Sequence, residues 1–215
     1  MSEQTVFVID DDQAVRESIA ALISVRGLHV QTFESAEIFL GFYNREHAGC
    51  VVTDLRIGSG ISGIELQVKL QERGFKIPVI VITAYANVSN AVQAMHNGAV
   101  TLLEKNCSTD ELWQAITTAL NVDRVNQDAQ CVAEDLLSRF QTLSAEEVDV
   151  MVRVVGGTLN KNIAKELSIS LRTVETRRHN VLSKVGVLSV PELVRLYVEL
   201  ESNLGRPPEE VLAGK

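Results

Sequence analysis

No stretch of this sequence approaches the ~20 consecutive apolar residues that a bilayer-spanning helix needs. The start, Met1-Ser2-Glu3-Gln4, lacks the basic and then apolar layout of a secretory signal. The protein is therefore expected in the cytoplasm. Cysteine is scarce: Cys50, Cys107 and Cys131 are odd in number and widely separated. Neither a disulfide framework nor a zinc ribbon is indicated, and reduced thiols are expected. Internal repeats and long low-complexity tracts are also missing. Positive charge is in short supply, with 20 Lys+Arg against 28 Asp+Glu and a net charge of −8. A uniform balance of that kind would argue against nucleic acid as a partner, but the charge is unevenly placed.

Residues 1–138 hold 9 basic against 18 acidic side chains, whereas residues 139–215 hold 11 against 10. Within 153–185 the count is 7 against 2. An acidic half followed by a local basic patch suits a sensor joined to a binder of an anionic ligand. At 215 residues, with 46% hydrophobic and 22% charged residues, the chain is long enough for two compact globular units.

From Thr5 to about Leu120, short β-branched apolar runs alternate with helix-length segments. The runs are Thr5 to Ile9, His29 to Phe33, Cys50 to Thr53, Pro78 to Ile82 and Ala99 to Leu103. Gly27, Gly74 and Gly98 stand at helix C-cap positions. Five βα units in succession predict a parallel sheet covered on both faces. The last helix starts with a capping box, Ser108 to Glu111, and continues as a polar stretch through Asn121 to Gln130 that reads as a linker. A helical pattern resumes at Leu136, and residues 139–205 show no strand-like alternation, so the second domain is predicted to be all-α.

Ligands of an open α/β sheet bind beyond the carboxyl ends of its strands. Those ends are Asp10-Asp11-Asp12, Asp54, Thr83 and Glu104-Lys105. Gathered carboxylates repel unless a cation neutralises them, and hard oxygen ligands beside phosphate point to Mg²⁺. A carboxylate can also be the nucleophile that takes a phosphoryl group, with a metal and a lysine stabilising the transferred oxygens. Asp54 is the best-placed nucleophile. Taken singly, Asp10 to Asp12 would pass for a solvated helix start, Thr83 for an N-cap and Lys105 for a surface lysine. Their joint placement at four strand ends favours a site.

Residues 4–120 resemble a receiver domain, through Ile9-Asp10-Asp11 with Val15-Arg16, Val52-Thr53-Asp54, Ile82-Thr83-Ala84 and Leu103-Glu104-Lys105. The whole chain resembles the FixJ branch of the NarL/LuxR-type response regulators. The resemblance implies a flavodoxin-like five-stranded receiver of strand order 2-1-3-4-5, phosphorylated on Asp54 by a histidine kinase. It further implies Mg²⁺ held by Asp11, Asp54 and the Arg56 carbonyl, with Asp10 acting partly through water, and phosphoryl oxygens held by Thr83 and Lys105. Three departures stand out. Ile57-Gly58-Ser59-Gly60 replaces the usual Met-Pro turn in a loop one residue longer, Asn106 replaces a proline of the cis-peptide kind, and Leu102 stands where an aromatic switch residue is common. Asn106 is not expected to mimic the cis bond, which costs ~3 kcal/mol without proline, and looser lysine placement is the expected consequence.

Residues 143–200 resemble the four-helix LuxR-type output domain. Ser144, Asn160, Ser170 and Ser189 mark helix starts, and Gly156-Gly157 ends the first helix. The run Asn160 to Ser170, followed by Arg172-Thr173-Val174-Glu175, carries the match. At 100° per residue Val174, Val181 and Val185 form one apolar stripe, and Arg172, Glu175, Thr176, His179 and Ser183 oppose it. The resemblance puts base contacts at Glu175, Thr176 and His179. Phosphate contacts are expected from Lys161, Lys165, Arg177, Arg178 and Lys184, and Arg172 and Thr173 complete the expected interface. The last helix, with Leu193, Val194, Leu196, Tyr197 and Leu200, would pair subunits on an inverted repeat or simply pack into the core.

The expected boundaries are 1–122 for the receiver, 123–139 for a helical linker, 140–205 for the helix-turn-helix domain and 206–215 for a flexible tail. Expected partners are a histidine kinase, double-stranded DNA and a second copy of the chain, joined through a face at about Asn87 to Leu120, with RNA polymerase as a further candidate. No enzymatic turnover beyond slow autodephosphorylation is expected. An aspartate-nucleophile phosphatase needs a second acid two residues after the nucleophile, where Arg56 stands. The departures from the pattern leave one alternative, a phosphorylation-independent DNA-binding regulator whose receiver is a scaffold.

Overall fold

The structure is a computed structural model that describes residues 4–84 and 88–212. Met1 to Glu3, Asn87 at the start of the expected docking face, and Ala213 to Lys215 of the expected tail lie outside the described residues. The chain separates into two compact units, 1–128 and 129–215.

In the first unit, β1 (Thr5–Ile9), β2 (His29–Phe33), β3 (Gly49–Asp54), β4 (Val79–Thr83) and β5 (Thr101–Glu104) form one parallel sheet in the order β2-β1-β3-β4-β5. The helices α1 (Gln13–Val25), α2 (Ala36–Phe42), α3 (Gly63–Glu72) and α4 (Val88–His96) alternate with the strands, and α5 (Thr109–Phe140) follows β5. Side chains of a strand alternate between faces. Phe7, Ile9, Val51 and Val81 accordingly enter a core with Phe39, Leu66 and Leu70, while Val6, Val8, Cys50, Val52 and Ile80 enter another with Ile23, Leu112 and Ile116. The central strands β1, β3 and β4 are buried almost throughout, which is why their sequences read as continuous apolar runs. Positive φ at Gly27, Gly74 and Gly98 ends α1, α3 and α4 as anticipated.

The second unit is helical: α6 (Ala145–Val155), α7 (Asn160–Glu166), α8 (Leu171–Val185), α9 (Val190–Leu204) and α10 (Pro208–Leu212). Its core joins Val150, Met151, Val154, Ile163, Val174, Val181, Val185, Leu193, Tyr197 and Leu200 to Leu136 and Phe140 of α5.

Two expectations, the flexible tail and the Asn160 cap, need correction. The stretch expected as a helical linker is helical and is part of α5, which runs to Phe140. Asp123 explains its attachment: it is 1% exposed and accepts hydrogen bonds from Gly49 N at 2.9 Å and Gln4 Nε2 at 3.1 Å. Residues 208–212 of the expected flexible tail form α10, with Pro208 buried and the Tyr197 hydroxyl donating to Glu209. Asn160 is not a cap: Leu159 precedes the helix without a side-chain cap bond, and Asn160 Oδ1 instead accepts from Arg178.

Gly49 is the least replaceable position of the sheet. Its φ is +140°, and a Cβ there would lie 1.7 Å from the Thr5 carbonyl oxygen. Gly49→Ala should destabilise the first unit by about 3 kcal/mol, read as a lowered urea midpoint, and an unchanged midpoint would contradict this.

Candidate functional site: an acidic pocket and a basic helix face

At the carboxyl edge of the sheet the three consecutive aspartates divide their work. Asp12 caps α1, accepting from Ala14 N at 2.8 Å and Val15 N at 3.4 Å, so the bland reading of this run holds for that residue alone. Asp10 and Asp11 turn toward Asp54, and one carboxylate oxygen from each of the three lies within 4.8 Å of the others. Asp10 and Asp54 are buried and Asp11 is exposed, giving the pocket a closed floor and an open side.

The Lys105 ammonium reaches 2.7 Å from Asp10 Oδ2 and 2.6 Å from Asp54 Oδ2. Its backbone N–H donates to the Thr83 carbonyl at 2.8 Å, extending the β4–β5 ladder past Glu104 and aiming the side chain. No cis peptide occurs among the described residues. The lysine therefore reaches both carboxylates through a trans bond to Asn106, and the looser placement expected from that departure does not appear. Burial raises the Asp10 carboxyl above its ordinary range, opposed by Lys105 and the Asp12 N–H. Burial works against the Lys105 ammonium too, but its hydrogen bonds to Asp10 and Asp54 outweigh that and raise its pKa.

Thr83 is 5% exposed at the end of β4. Arg56 is exposed, and its N–H donates to Asp54 Oδ1 at 3.1 Å, which orients that carboxylate. Arg16 Nη1 donates to the Asp10 carbonyl at 2.6 Å and braces the turn into α1. Leu102 is half-buried and packs on the first core. Three acidic groups and one lysine, with hard oxygen donors only, fit a divalent cation such as Mg²⁺.

In the second unit α8 buries Val174, Val181 and Val185, the stripe expected from its periodicity. Arg172, Glu175, Thr176, His179 and Ser183 are exposed on it, as are Lys161 and Lys165 on α7. Four expected contact residues make internal bonds. Thr173 is half-buried with its hydroxyl 2.8 Å from Ser170 Oγ, and Thr176 Oγ1 donates to the Arg172 carbonyl. Arg178 donates to Asn160, and Lys184 Nζ lies 2.6 Å from Glu147 Oε2. Lys184 thus anchors α8 to α6, which differs from its expected place in a phosphate-binding face. Arg177 is half-buried. On α9, Leu193, Tyr197 and Leu200 point into the core, and Val198 is the exposed apolar side chain.

Reading the sequence missed the partner of Lys184. The Ser144-to-Glu147 capping-box spacing was visible, but a pairing 37 residues apart has no local signature. Burial alone would raise the Glu147 carboxyl, but Lys184 and the Ser144 N–H outweigh it and hold it below 4.5. A carboxyl depressed on folding contributes stability that is present above its unfolded pKa and is lost as pH falls through the folded one. Lys184→Ala should cost about 1–2 kcal/mol at neutral pH, since the lysine is partly solvated, and the gap to wild type should narrow as pH falls through the carboxylate range. Thermal midpoints of the two proteins across pH check this; a gap independent of pH would refute it.

Residues 6–117 match the response regulator receiver domain family, and residues 141–197 match the bacterial regulatory proteins of the luxR family. The chain is 39% identical over 207 residues to the transcriptional regulatory protein TdiR of Thauera aromatica, covering 95% of this chain and 91% of that one. It is 40% identical to the transcriptional regulatory protein FixJ of Rhizobium meliloti, covering 91% and 96%. The solved structure of the response regulator StyR is similar over 91% of this chain and 98% of that one, at a TM-score of 0.75 and 37% identity. With a receiver fold ending in an acidic pocket and a luxR-type helical unit behind it, this chain belongs to the two-component response regulators that carry a DNA-binding output domain.

Proposed function

We propose that a histidine kinase phosphorylates Asp54 and that the modified receiver controls DNA binding by the output domain. The observation that carries this reading is the Lys105 ammonium set between Asp10 and Asp54 at the sheet edge. An Asp54 carboxylate oxygen attacks the phosphorus of a phosphohistidine, the P–N bond breaks, and its electron pair stays on the imidazole nitrogen. A Mg²⁺ ion held by Asp10, Asp11, Asp54 and the Arg56 carbonyl would supply positive charge to the phosphoryl oxygens. Lys105 exchanges a carboxylate contact for a phosphoryl oxygen, and Thr83 donates its hydroxyl to another. Slow hydrolysis of the acyl phosphate is the only turnover in this scheme.

The exposed side chains of α7 and α8, with half-buried Arg177 beside them, suit a major groove, with Lys161, Lys165, Arg172 and Arg177 on phosphates and Glu175, Thr176 and His179 on base edges. Thr173, Arg178 and Lys184 support the helix from within, although Arg178 can still offer its remaining N–H groups to a phosphate. Two output domains on an inverted repeat, in the cytoplasm and beside RNA polymerase, complete the reading. No helix among the described residues is long and apolar enough to cross a membrane.

Incubation with acetyl phosphate and Mg²⁺ should add the mass of one phosphoryl group to the wild type and none to Asp54→Ala. Equal labelling of both would refute the assignment. Unchanged DNA affinity and oligomeric state in Asp54→Ala, and in wild type with beryllofluoride, would favour the phosphorylation-independent alternative. In DNA titrations, Lys161→Ala should weaken all sequences alike and lower the salt slope by about 1, whereas His179→Ala should alter base preference. The reverse pattern would exchange their roles.

A further inference from the structure

Between Asp54 and α3 the chain forms the loop 55–62, closed at its base by Gly63 N–H on the Leu55 carbonyl at 3.1 Å. A Cβ at Gly63 would lie 2.3 Å from the Asp54 carbonyl oxygen, so this approach of backbone to backbone depends on glycine. The loop touches the acidic pocket twice. Arg56 N–H binds Asp54 Oδ1, and Gly58, at φ +51°, sits where a Cβ would be 3.7 Å from the Asp11 side chain. Ile57, 3% exposed, anchors the near limb in the core.

The far limb is held from outside the loop. Glu37, in the first turn of α2, accepts the Ile61 N–H at 2.8 Å. Its carboxylate lies over Gly60, where a Cβ would fall 2.6 Å from Oε1 and 3.1 Å from Oε2. The Ile61 N–H is also the leading cause that holds the Glu37 carboxyl below its ordinary range. Glu37 thus joins α2 to a loop that also reaches two of the three clustered aspartates, while standing outside the cluster itself.

We infer that Glu37 is a positioning residue for the cation site, tethering the loop through Ile61 and Gly60 so that Arg56 and Gly58 stay against Asp54 and Asp11. The inference rests on the reading of Asp10, Asp11 and Asp54 as a divalent-cation site. Charge and tether are separable here. Glu37→Gln keeps an acceptor for Ile61 and removes the charge; Glu37→Ala removes both. Gly60→Ala displaces the carboxylate while leaving Glu37 in place, and the backbone of Gly60 lies outside the left-handed region, so alanine is tolerated there.

The test is calorimetric titration of the full chain with Mg²⁺, together with amide exchange of Ile61 in metal-free protein followed by NMR. Glu37→Ala and Gly60→Ala should weaken Mg²⁺ about 2- to 10-fold, the equivalent of one ordinary hydrogen bond, and speed Ile61 exchange. Glu37→Gln should stay within about twofold of wild type on both readouts. Mg²⁺ affinity unchanged in Glu37→Ala overturns the inference while leaving the cation site standing. Equal weakening in Glu37→Gln and Glu37→Ala also overturns it, since charge and not the tether would then be responsible. A wild type that binds no Mg²⁺, or binds it no better than Asp11→Asn, removes the cation reading and the inference with it.

Discussion

The Lys105 ammonium, held between the carboxylates of Asp10 and Asp54, reconciles a parallel sheet with the charges at its carboxyl edge. Two carboxylates within 4.8 Å repel by on the order of 3 kcal/mol at the effective dielectric constant of a protein surface. Parallel pairing nonetheless brings them together, because β1 and β3 run in step with Ile9 paired to Thr53, and an aspartate follows each of these residues. β5 ends one residue before the compensating lysine, and the Lys105 N–H on Thr83 fixes that end in register with β4. Strand register and charge balance are therefore one constraint. A divalent cation bound there would add a second and stronger counterion to the one that Lys105 already supplies.

Much of this was legible because the first unit obeys short-range rules. Strands buried on both faces leave apolar runs, and the groups that follow those runs must share an edge, so Asp10, Asp54, Thr83 and Lys105 could be gathered from spacing alone. The stripe Val174, Val181, Val185 was likewise fixed by helical period. What escaped were pairings set by the folded shape: Glu37 with Ile61, Glu147 with Lys184, Asp123 with Gly49. In each, an ordinary surface-type residue finds its partner 24 or more positions away, and local sequence carries no trace of it. The short α10, and the way the polar part of α5 is held, escaped for a related reason. Their sequences are polar or proline-bearing, and it is burial of Asp123, Leu136, Phe140 and Pro208 that holds them helical.

The second unit separates structural charge from available charge. Lys184 and Arg178 are spent on Glu147 and Asn160, and Arg153 on Glu166 at 3.0 Å, fastening α6, α7 and α8 to one another. Lys161, Lys165 and Arg172 remain exposed. The +5 surplus of residues 153–185 is consequently smaller at the surface than the count suggests, and its exposed part lies on α7, at the start of α8 and at the ion-paired Lys184. The internally bonded cations fix α8 against α6 and α7.

Within the first unit, β1 and β3 carry groups at both ends. Asp10 follows the carboxyl end of β1 and Asp54 is the last residue of β3, while Gln4 and Gly49, at their amino ends, bind Asp123 of α5. These strands are buried and paired along their length, and close-packed interiors do not stretch. A change in charge at the acidic pocket must therefore be taken up by the elements around the sheet. α4 is the helix with least to lose, since it buries only Ala94, turns Val88, Val92 and Met95 to solvent, and contributes no other apolar side chain to either core. It begins five residues after Thr83, close to the edge where the charge would change. α5 by contrast is moored at the opposite edge through Asp123, so α4 and α5 differ in how firmly the first unit holds them.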